Sequence, residues 1–320
     1  MPKVSVIVPI YGVEDYIECC VESLFRQTLE DMEFIFVDDC SKDNSISVLK
    51  TVLQRFPQRQ SQVLIVTHEK NLGLPQARRT GLKYASGHYV AHCDSDDWVD
   101  DDMYAEMYER ALATDSDMIV CDYMNVYDDY TRVSDPCYTK EYLQALLLCR
   151  CTGSLCNRIT RREIFLDDGF RFPERTYCED YVCSVQLALY SSRIEYIPRP
   201  FYKYRHRVGS IVMTKDRVAI DKRILDNLIN HKLVESIISD HGLSEKYFSE
   251  LIALRLIVKN SIRFYMDHRG YYKLWRQTYP DLTISIFKSK HISWRTRFAY
   301  FITYIGLYPI FMKLKEKCQK

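Results

Sequence analysis

Along the first half of the chain, short apolar runs alternate with stretches whose apolar positions recur every three or four residues. Residues 3–10 form a β-branched run of strand length, and beyond them Tyr16, Ile17, Cys20, Val21, Leu24 and Phe25 fall on one helical face. A second strand over 33–37 ends in Asp38-Asp39, and Asp43 is placed to cap a helix carrying Ile46, Val48, Leu49 and Leu53. Residues 62–67 predict a third strand. After Asn71-Leu72-Gly73, Pro75 suits the first turn of a helix that runs to Ala85 and stops at Gly87. Residues 88–93 give the fourth strand. Asp100, Asp101 and Asp102 then sit at a helix N-terminus, where the dipole favours carboxylates, and a fifth strand opens at 118–121. Such alternation implies βαβ units and an α/β fold with a mostly parallel sheet flanked by helices. From about Val182 the pattern changes. Residues 193–205 read as strand-like segments broken by Pro198 and Pro200, and beyond Asp216 helical periodicity dominates. The expected organisation is an α/β domain over 1–210 and a helical C-terminal region over 211–320.

In open α/β sheets, ligands bind outside the carboxyl ends of the strands. Three polar clusters follow strands directly: Tyr11 to Glu14, Asp38-Asp39, and Asp94-Ser95-Asp96-Asp97. Side chains repeat with period 2 in extended backbone, so the tetrad offers two carboxylates on one face. Hard oxygen donors beside an open loop suit a divalent cation that keeps waters and shares a phosphate-bearing substrate. The plainer readings are a solvated acidic loop for the tetrad and a capped turn for Asp38-Asp39. The chain has only ten glycines, and neither G-x-G-x-x-G nor G-x-x-x-x-G-K-[ST] occurs. Dinucleotide-dependent dehydrogenases and P-loop NTPases are therefore disfavoured, and bound phosphates would need a metal and side chains for neutralisation.

Charge and cysteine usage narrow the picture further. A net charge of +1 gives no argument for nucleic acid as a partner, but the distribution is uneven. Residues 288–320 hold eight Lys/Arg against the single acid Glu316, leaving the rest of the chain net acidic. A basic tail on an acidic body points to an anionic surface. None of the twelve cysteines forms a C-x-x-C pair, and the N-terminus lacks a signal-peptide pattern. The cysteines read as free thiols of a cytoplasmic protein.

Four segments together resemble the family 2 glycosyltransferases of GT-A fold, the Rossmann-like nucleotide-diphospho-sugar transferases that build bacterial surface polysaccharides. They are Val4-Ser5-Val6-Ile7-Val8-Pro9-Ile10-Tyr11, Val37-Asp38-Asp39-Cys40-Ser41-Lys42-Asp43, Asn71-Leu72-Gly73-Leu74-Pro75-Gln76-Ala77-Arg78 and Asp94-Ser95-Asp96-Asp97. A fifth, Glu179-Asp180, stands where that family places its catalytic carboxylate. The likeness covers residues 1 to about 210. It implies that Pro9, Tyr11 and Glu14 line the nucleotide pocket and that Asp39 accepts a hydrogen bond from the base, most naturally uracil. It further implies Arg78 near the base and diphosphate, Asp94 and Ser95 beside the nucleotide-sugar, and Asp96 on Mg²⁺ or Mn²⁺. Asp180 would be the general base, with Glu179 next in line, and His206 a further metal or phosphate contact. Cys40 stands where glycine is usual, while Gly12 and Arg79 replace common asparagines.

The implied reaction is inverting transfer of a sugar from a nucleotide-diphosphate donor, UDP-linked by preference, to a hydroxyl of a glycan or lipid-linked acceptor. Two other classes share parts of the pattern. A catalytically silent sugar-nucleotide binder is opposed by the intact Asp96 and Asp180. A sugar-phosphate nucleotidyltransferase would need a glycine- and arginine-rich loop, which Pro9-Ile10-Tyr11-Gly12 does not provide. Residues 298–312 are nearly unbroken in apolar character but fall short of the roughly 20 needed to span a bilayer. With basic flanks and Trp294, they fit a peripheral segment on the inner membrane surface or one packed on the catalytic domain or a second subunit. A homo-oligomer is left open.

Overall fold

The computed structural model describes residues 1–135, 139–207, 216–263, 265 and 269–308. Two compact units form, one from Met1–Leu146 with Cys151–Asp216, the other from Leu147–Arg150 with the chain from Arg217 onward. The first begins β1 (Val4–Ile10), α1 (Ile17–Phe25), β2 (Met32–Asp38), α2 (Ser45–Gln54), β3 (Val63–Thr67), α3 (Leu74–Tyr84), β4 (Tyr89–His92). It continues β5 (Trp98–Val99), α4 (Met103–Thr114), β6 (Met118–Val126), β7 (Thr131–Val133), α5 (Tyr142–Leu147), β8 (Arg158–Arg161), α6 (Arg162–Phe165), α7 (Glu179–Tyr190) and β9 (Ile194–Arg205).

The strands form one sheet in the order β3-β2-β1-β4-β8-β6-β9-β5, with β7 paired to β6. Where the alternation predicts parallel pairing, from β3 through β4, the ladder is parallel. Beyond β4 it is mixed. The four-residue β8 enters antiparallel between β4 and β6, while β6 and β9 run parallel. All seven residues of β1 are buried, as expected of a parallel strand covered on both faces. On one face, α3 lies so close that a Cβ on Gly81 would sit 2.3 Å from Ile7 Cγ2. Only glycine permits that approach, and it fixes the helix that carries Arg78.

The prolines do not split β9 into separate strands. Instead its register against β6 shifts between the pairs Cys121↔Ile197 and Tyr123↔Tyr202. Pro198 and Pro200 fall in that bulge, where no ladder N–H is required of them.

The second unit is helical: α8 (Arg217–Asp240), α9 (Phe248–Arg263), α10 (Arg269–Gln277), α11 (Leu282–Ser285) and α12 (Trp294–Tyr304). Its core gathers Trp275, Leu282, Ile286 and Tyr300 around Ile262. Lys259 is fully buried there, donating to the Thr278 carbonyl at 2.7 Å with its ammonium 4.3 Å from the Trp275 ring centroid. A carbonyl and an aromatic face together replace the lost hydration of that charge. Of the apolar segment 298–312, Pro309 to Met312 lie outside the described residues.

Candidate active site

The site grows from the point where strand order reverses. Chain order runs from β1 outward to β3 and then crosses back to β4 on the other side of β1. The β1–β4 ladder ends at the pair Ile7↔His92, whereas β1 runs on beside β2 to Ile10. Cys93 donates to the Ile7 carbonyl at 3.0 Å, so the N-position of Pro9, two residues on, faces the same open side. Proline is tolerated because the ladder has ended there. A gap thus opens between β1 and β4 at their carboxyl ends.

One wall of that gap is two loops laced together. The Gly12 N–H donates to Ser41 Oγ, Val13 N–H to Ser45 Oγ and Glu14 N–H to Asp43 Oδ2. Glu14 Oε2 in return accepts from the Asn44 backbone and side chain, each at 2.9 Å. Four hydrogen bonds from Ser41, Ser45 and the Glu14 backbone hold the Asp43 carboxyl down at about 2 although burial opposes them. The N-cap of α2 is Asn44 and not Asp43, which stands one residue before it and braces the start of the helix by accepting from Ser45 N–H. Glu14 is placed as a brace of this wall, and the Tyr11 ring stands out from it, about half exposed. Cys40 has φ 61°. A left-handed residue with a Cβ is disfavoured by about 1–2 kcal/mol, part of which glycine returns through unfolded-chain entropy. Cys40→Gly is expected to raise unfolding free energy by about 0.5–1 kcal/mol in urea titration; a loss of stability would contradict this reading.

Asp39 is buried and triply engaged. It accepts from Leu72 N–H and Gly73 N–H at 2.8 Å each and contacts His68 Nδ1 at 2.8 Å. His68 Nε2 in turn meets Thr80 Oγ1 at 2.9 Å. The carboxylate thereby ties the turn before α3 to β2 and, through His68, to the helix itself.

The tetrad does not continue β4 in extended backbone: the strand ends at His92, and Asp97 N–H donates to the Asp94 carbonyl at 3.1 Å, closing a turn that leaves Asp94 and Asp96 half-buried and Ser95 and Asp97 buried. Asp97 holds β9 in place, accepting from Tyr202 Oη at 2.6 Å and from Arg205 N–H at 2.7 Å. The same Tyr202 oxygen accepts from Asp94 N–H. Burial, and after it the charges of Asp96 and Asp94, push the Asp97 carboxyl well above the usual range. Asp96 is raised by burial and by Asp94, and Arg207 Nε answers it at 2.6 Å. Asp94 and Asp96, the two half-exposed members, offer hard carboxylate oxygens, each held on one side by an arginine, Arg78 and Arg207. That chemistry fits a divalent cation held by one or two carboxylates together with a substrate phosphate. Among the described residues, no three His, Cys, Asp or Glu side chains converge as a ready-made cage.

Arg78, buried on α3, connects the tetrad to α7. Its Nε donates to Glu179 Oε1 at 2.9 Å and its Nη2 to Asp94 Oδ1 at 2.8 Å, while Nη1 is buried without a hydrogen-bond partner. Burial lifts the Glu179 carboxyl to about 7 against the pull of Arg78, with Asp180 and Asp94 adding repulsion. Asp180 lies one residue further, half-buried in the first turn of α7, and accepts its neighbour's Tyr181 N–H at 2.8 Å. Its carboxyl is likewise raised, by burial before all else. The helix starts after Cys178, whose φ is 63°, and a Cβ on Gly153 would strike Tyr181 Cα at 2.8 Å. Backbone strain and a close glycine contact together fix where Asp180 emerges.

Beyond these carboxylates runs a column of rings that carries no sequence signature. The Tyr204 phenol is raised by burial and then by Asp97, Asp94, Asp96 and Asp180, which places it in the field of all four acids. Its ring meets His206 edge-on at 4.8 Å, and His206 stacks on Tyr127 at 4.0 Å, which stacks on exposed Tyr130 at 4.4 Å. His206 Nε2 contacts Asn125 Oδ1 at 2.9 Å, so the ring is held within this column. Periodicity could not reveal the column, because its two halves, Tyr127 with Tyr130 and Tyr204 with His206, meet only where β6 pairs with β9. Tyr202, Arg205 and Arg207 are missed because they reach the tetrad from a segment more than a hundred residues away, and His68 because it meets Asp39 only across the β2–β3 pairing.

The sequence profile of glycosyl transferase family 2 matches residues 5–169. The glycosyltransferase GlyG of Streptococcus pneumoniae is 26% identical over 300 residues, covering 87% of this chain and 93% of its own. The putative glycosyltransferase EpsH of Bacillus subtilis is 28% identical over 261 residues, covering 78% of this chain and 73% of its own. Among solved structures, S. aureus TarS residues 1–349 in complex with UDP-GlcNAc superpose with a TM-score of 0.58 at 21% identity, over 81% of each chain. That likeness identifies the fold as GT-A. The profile spans β1 through β8, including the braced wall, Asp39, Arg78 and the tetrad, and on that match the chain belongs to glycosyltransferase family 2.

Proposed function

We propose that this glycosyltransferase performs metal-dependent, inverting transfer from a UDP-sugar to a hydroxyl of a glycan or lipid-linked acceptor in surface-polysaccharide synthesis. The observation that carries the reading is the Asp94–Arg78–Glu179 bridge, which ties the tetrad to the first turn of α7, one residue before Asp180. The names of the relatives agree in class. One curated relative, 34% identical over 119 residues, is a poly(ribitol-phosphate) β-glucosyltransferase of Bacillus spizizenii, and TarS was solved with UDP-GlcNAc and with UDP.

The nucleotide lies in the gap, its base against Tyr11 and Pro9, with any remaining Asp39 acceptor capacity turned to the base. The diphosphate approaches Asp94, Asp96 and the unpaired Arg78 Nη1, whose missing acceptor a phosphate oxygen would supply. A divalent cation (Mg²⁺, or the Mn²⁺ present with GDP-Man in a mannosyltransferase of the same fold) would be held by Asp96 with Asp94 near, supplying Lewis-acid stabilisation of the leaving diphosphate. Asp180 takes the proton of the acceptor hydroxyl as its oxygen bonds to the anomeric carbon. The bond from that carbon to the diphosphate breaks on the opposite face, and the nucleoside diphosphate leaves. A carboxyl raised by burial suits a base, and the hydroxyl acidifies in the transition state. The acceptor's sugar face stacks on the exposed Tyr130 ring, which Tyr127 and His206 support from within the column.

Isothermal titration of UDP with and without Mn²⁺, followed by UDP-sugar hydrolysis with and without EDTA, tests the reading. Mn²⁺-dependent UDP binding and EDTA-sensitive hydrolysis are expected. Equal UDP affinity with and without Mn²⁺ would remove the cation from the account. Mn²⁺-dependent binding without any hydrolysis or transfer would leave a silent sugar-nucleotide binder.

A further inference from the structure

The second unit carries an apolar surface that its own core does not use. On α12, Trp294, Phe298, Phe301 and Ile305 are 70, 57, 53 and 47% exposed. Their spacing of four, three and four residues places all of them on one helical face. The opposite face is spent internally, with Tyr300 and Thr303 buried. Ile284 and Phe287, 75 and 64% exposed, precede the helix in the chain and are tied to it. Thr283 Oγ1 meets Tyr300 Oη at 3.0 Å, Arg297 donates to the Ser289 carbonyl at 2.7 Å, and the Arg297 guanidinium lies 5.9 Å from the Phe287 ring centroid. Phe287, through Arg297, therefore borders the four-residue stripe, giving five large exposed apolar side chains in one region of a single unit. Scattered exposed apolar residues are ordinary, but a stripe of this kind marks a contact surface.

Charge identifies the partner. From Leu282 to Tyr308 the sequence contains no Asp or Glu, while Lys288, Lys290 and Arg295 are exposed around the stripe. The sequence then continues Pro309-Ile310-Phe311-Met312 into Lys313, Lys315, Lys317 and Lys320, with Glu316 the only acid. A second copy meeting this face would bring like charges together at the rim. An anionic bilayer meets both demands, taking the apolar side chains below its headgroups and the cations among its phosphates, with tryptophan at the interface. Among the described residues, no helix is long and apolar enough to cross a membrane.

We propose that the face formed by Phe287 and the Trp294–Phe298–Phe301–Ile305 stripe of α12 docks in the plane of an anionic lipid bilayer. Its purpose, presenting the enzyme to a lipid-linked acceptor, rests on the reading above; the docking itself does not.

Co-sedimentation of the full chain with phosphatidylcholine vesicles, with and without phosphatidylglycerol, tests this at low and high salt. Binding is expected to phosphatidylglycerol vesicles and to weaken as salt screens the rim. Phe298→Glu with Phe301→Glu should lower the affinity on the order of tenfold or more, as expected when even one buried aromatic is lost from the interface. Lys288→Gln with Lys290→Gln should lessen the preference for phosphatidylglycerol. UDP titration with Mn²⁺ on the same samples should be unchanged in every variant, which separates a failure of docking from a failure of the glycosyltransferase reading. No sedimentation with either vesicle, or binding that ignores both pairs of substitutions, overturns the proposal. So does concentration-dependent self-association that Phe298→Glu abolishes, since the face would then belong to a second copy.

Discussion

Asp180→Asn is expected to lower kcat by ~10²–10⁴-fold, the range that a positioned general base contributes, equivalent to roughly 3–5 kcal/mol of barrier. The substitution is small in every other respect. The carboxamide oxygen can still accept the Tyr181 N–H that Asp180 Oδ1 accepts now, so the first turn of α7 and the bracing by Gly153 are retained. UDP affinity with Mn²⁺ and the urea midpoint should stay near wild type. The pH profile supplies an independent reading. Burial raises the Asp180 carboxyl, so the acidic limb of kcat should lie above the unperturbed aspartate value of about 3.9, activity falling as the base takes up a proton from solvent. Transfer close to wild-type rate in Asp180→Asn would move the base elsewhere. Glu179 is the next candidate, although its Oε1 is already held by Arg78.

Much of this cluster was legible in the sequence because it depends on local pattern. Strand endings are set by apolar runs, and polar residues directly after them fall on one rim whatever the details of packing. The tetrad directly after β4 is such a case in its place, though not in its conformation: it folds as a turn closed by Asp97 N–H on the Asp94 carbonyl, so period 2 is not what separates Asp94 and Asp96 from Ser95 and Asp97. The direct partners of the acids were not legible. Arg78 was expected near a diphosphate, yet here it bridges Asp94 and Glu179, whose positions in sequence differ from its own by 16 and 101. Asp39 was expected to face the base, and here most of its acceptor capacity serves the turn before α3. Glu14 caps the start of α2 across the gap between two loops. Each of these contacts joins segments that only the sheet order brings together, which no local periodicity encodes. The mixed pairing beyond β4 was hidden likewise, because a four-residue strand such as β8 is too short to carry a pattern.

Arg78→Met is expected to cost about 3–5 kcal/mol, because it leaves Asp94 and Glu179 without the buried guanidinium they share. Urea unfolding at several pH values would show more than the size of the loss. Burial already lifts the Glu179 carboxyl to about 7 with Arg78 in place, above the ordinary 4.5. A carboxyl whose folded pKa is raised binds more protons folded than unfolded between those two values. Its contribution therefore favours the fold at low pH and is lost as pH rises through about 7. Removing the guanidinium takes away the main force holding that pKa down, so the window widens upward and the variant pays more of the cost of a buried charge. The destabilisation of Arg78→Met relative to wild type should be smallest near pH 5 and largest above pH 7, to the order of 1 kcal/mol or more for each unit the pKa moves. Glu179→Gln in the same background should flatten that dependence, since a carboxamide has no proton to gain. A loss that is equal at all pH values, or unaltered by Glu179→Gln, would mean that Arg78 acts through packing alone and that the bridge between the tetrad and α7 has no electrostatic role.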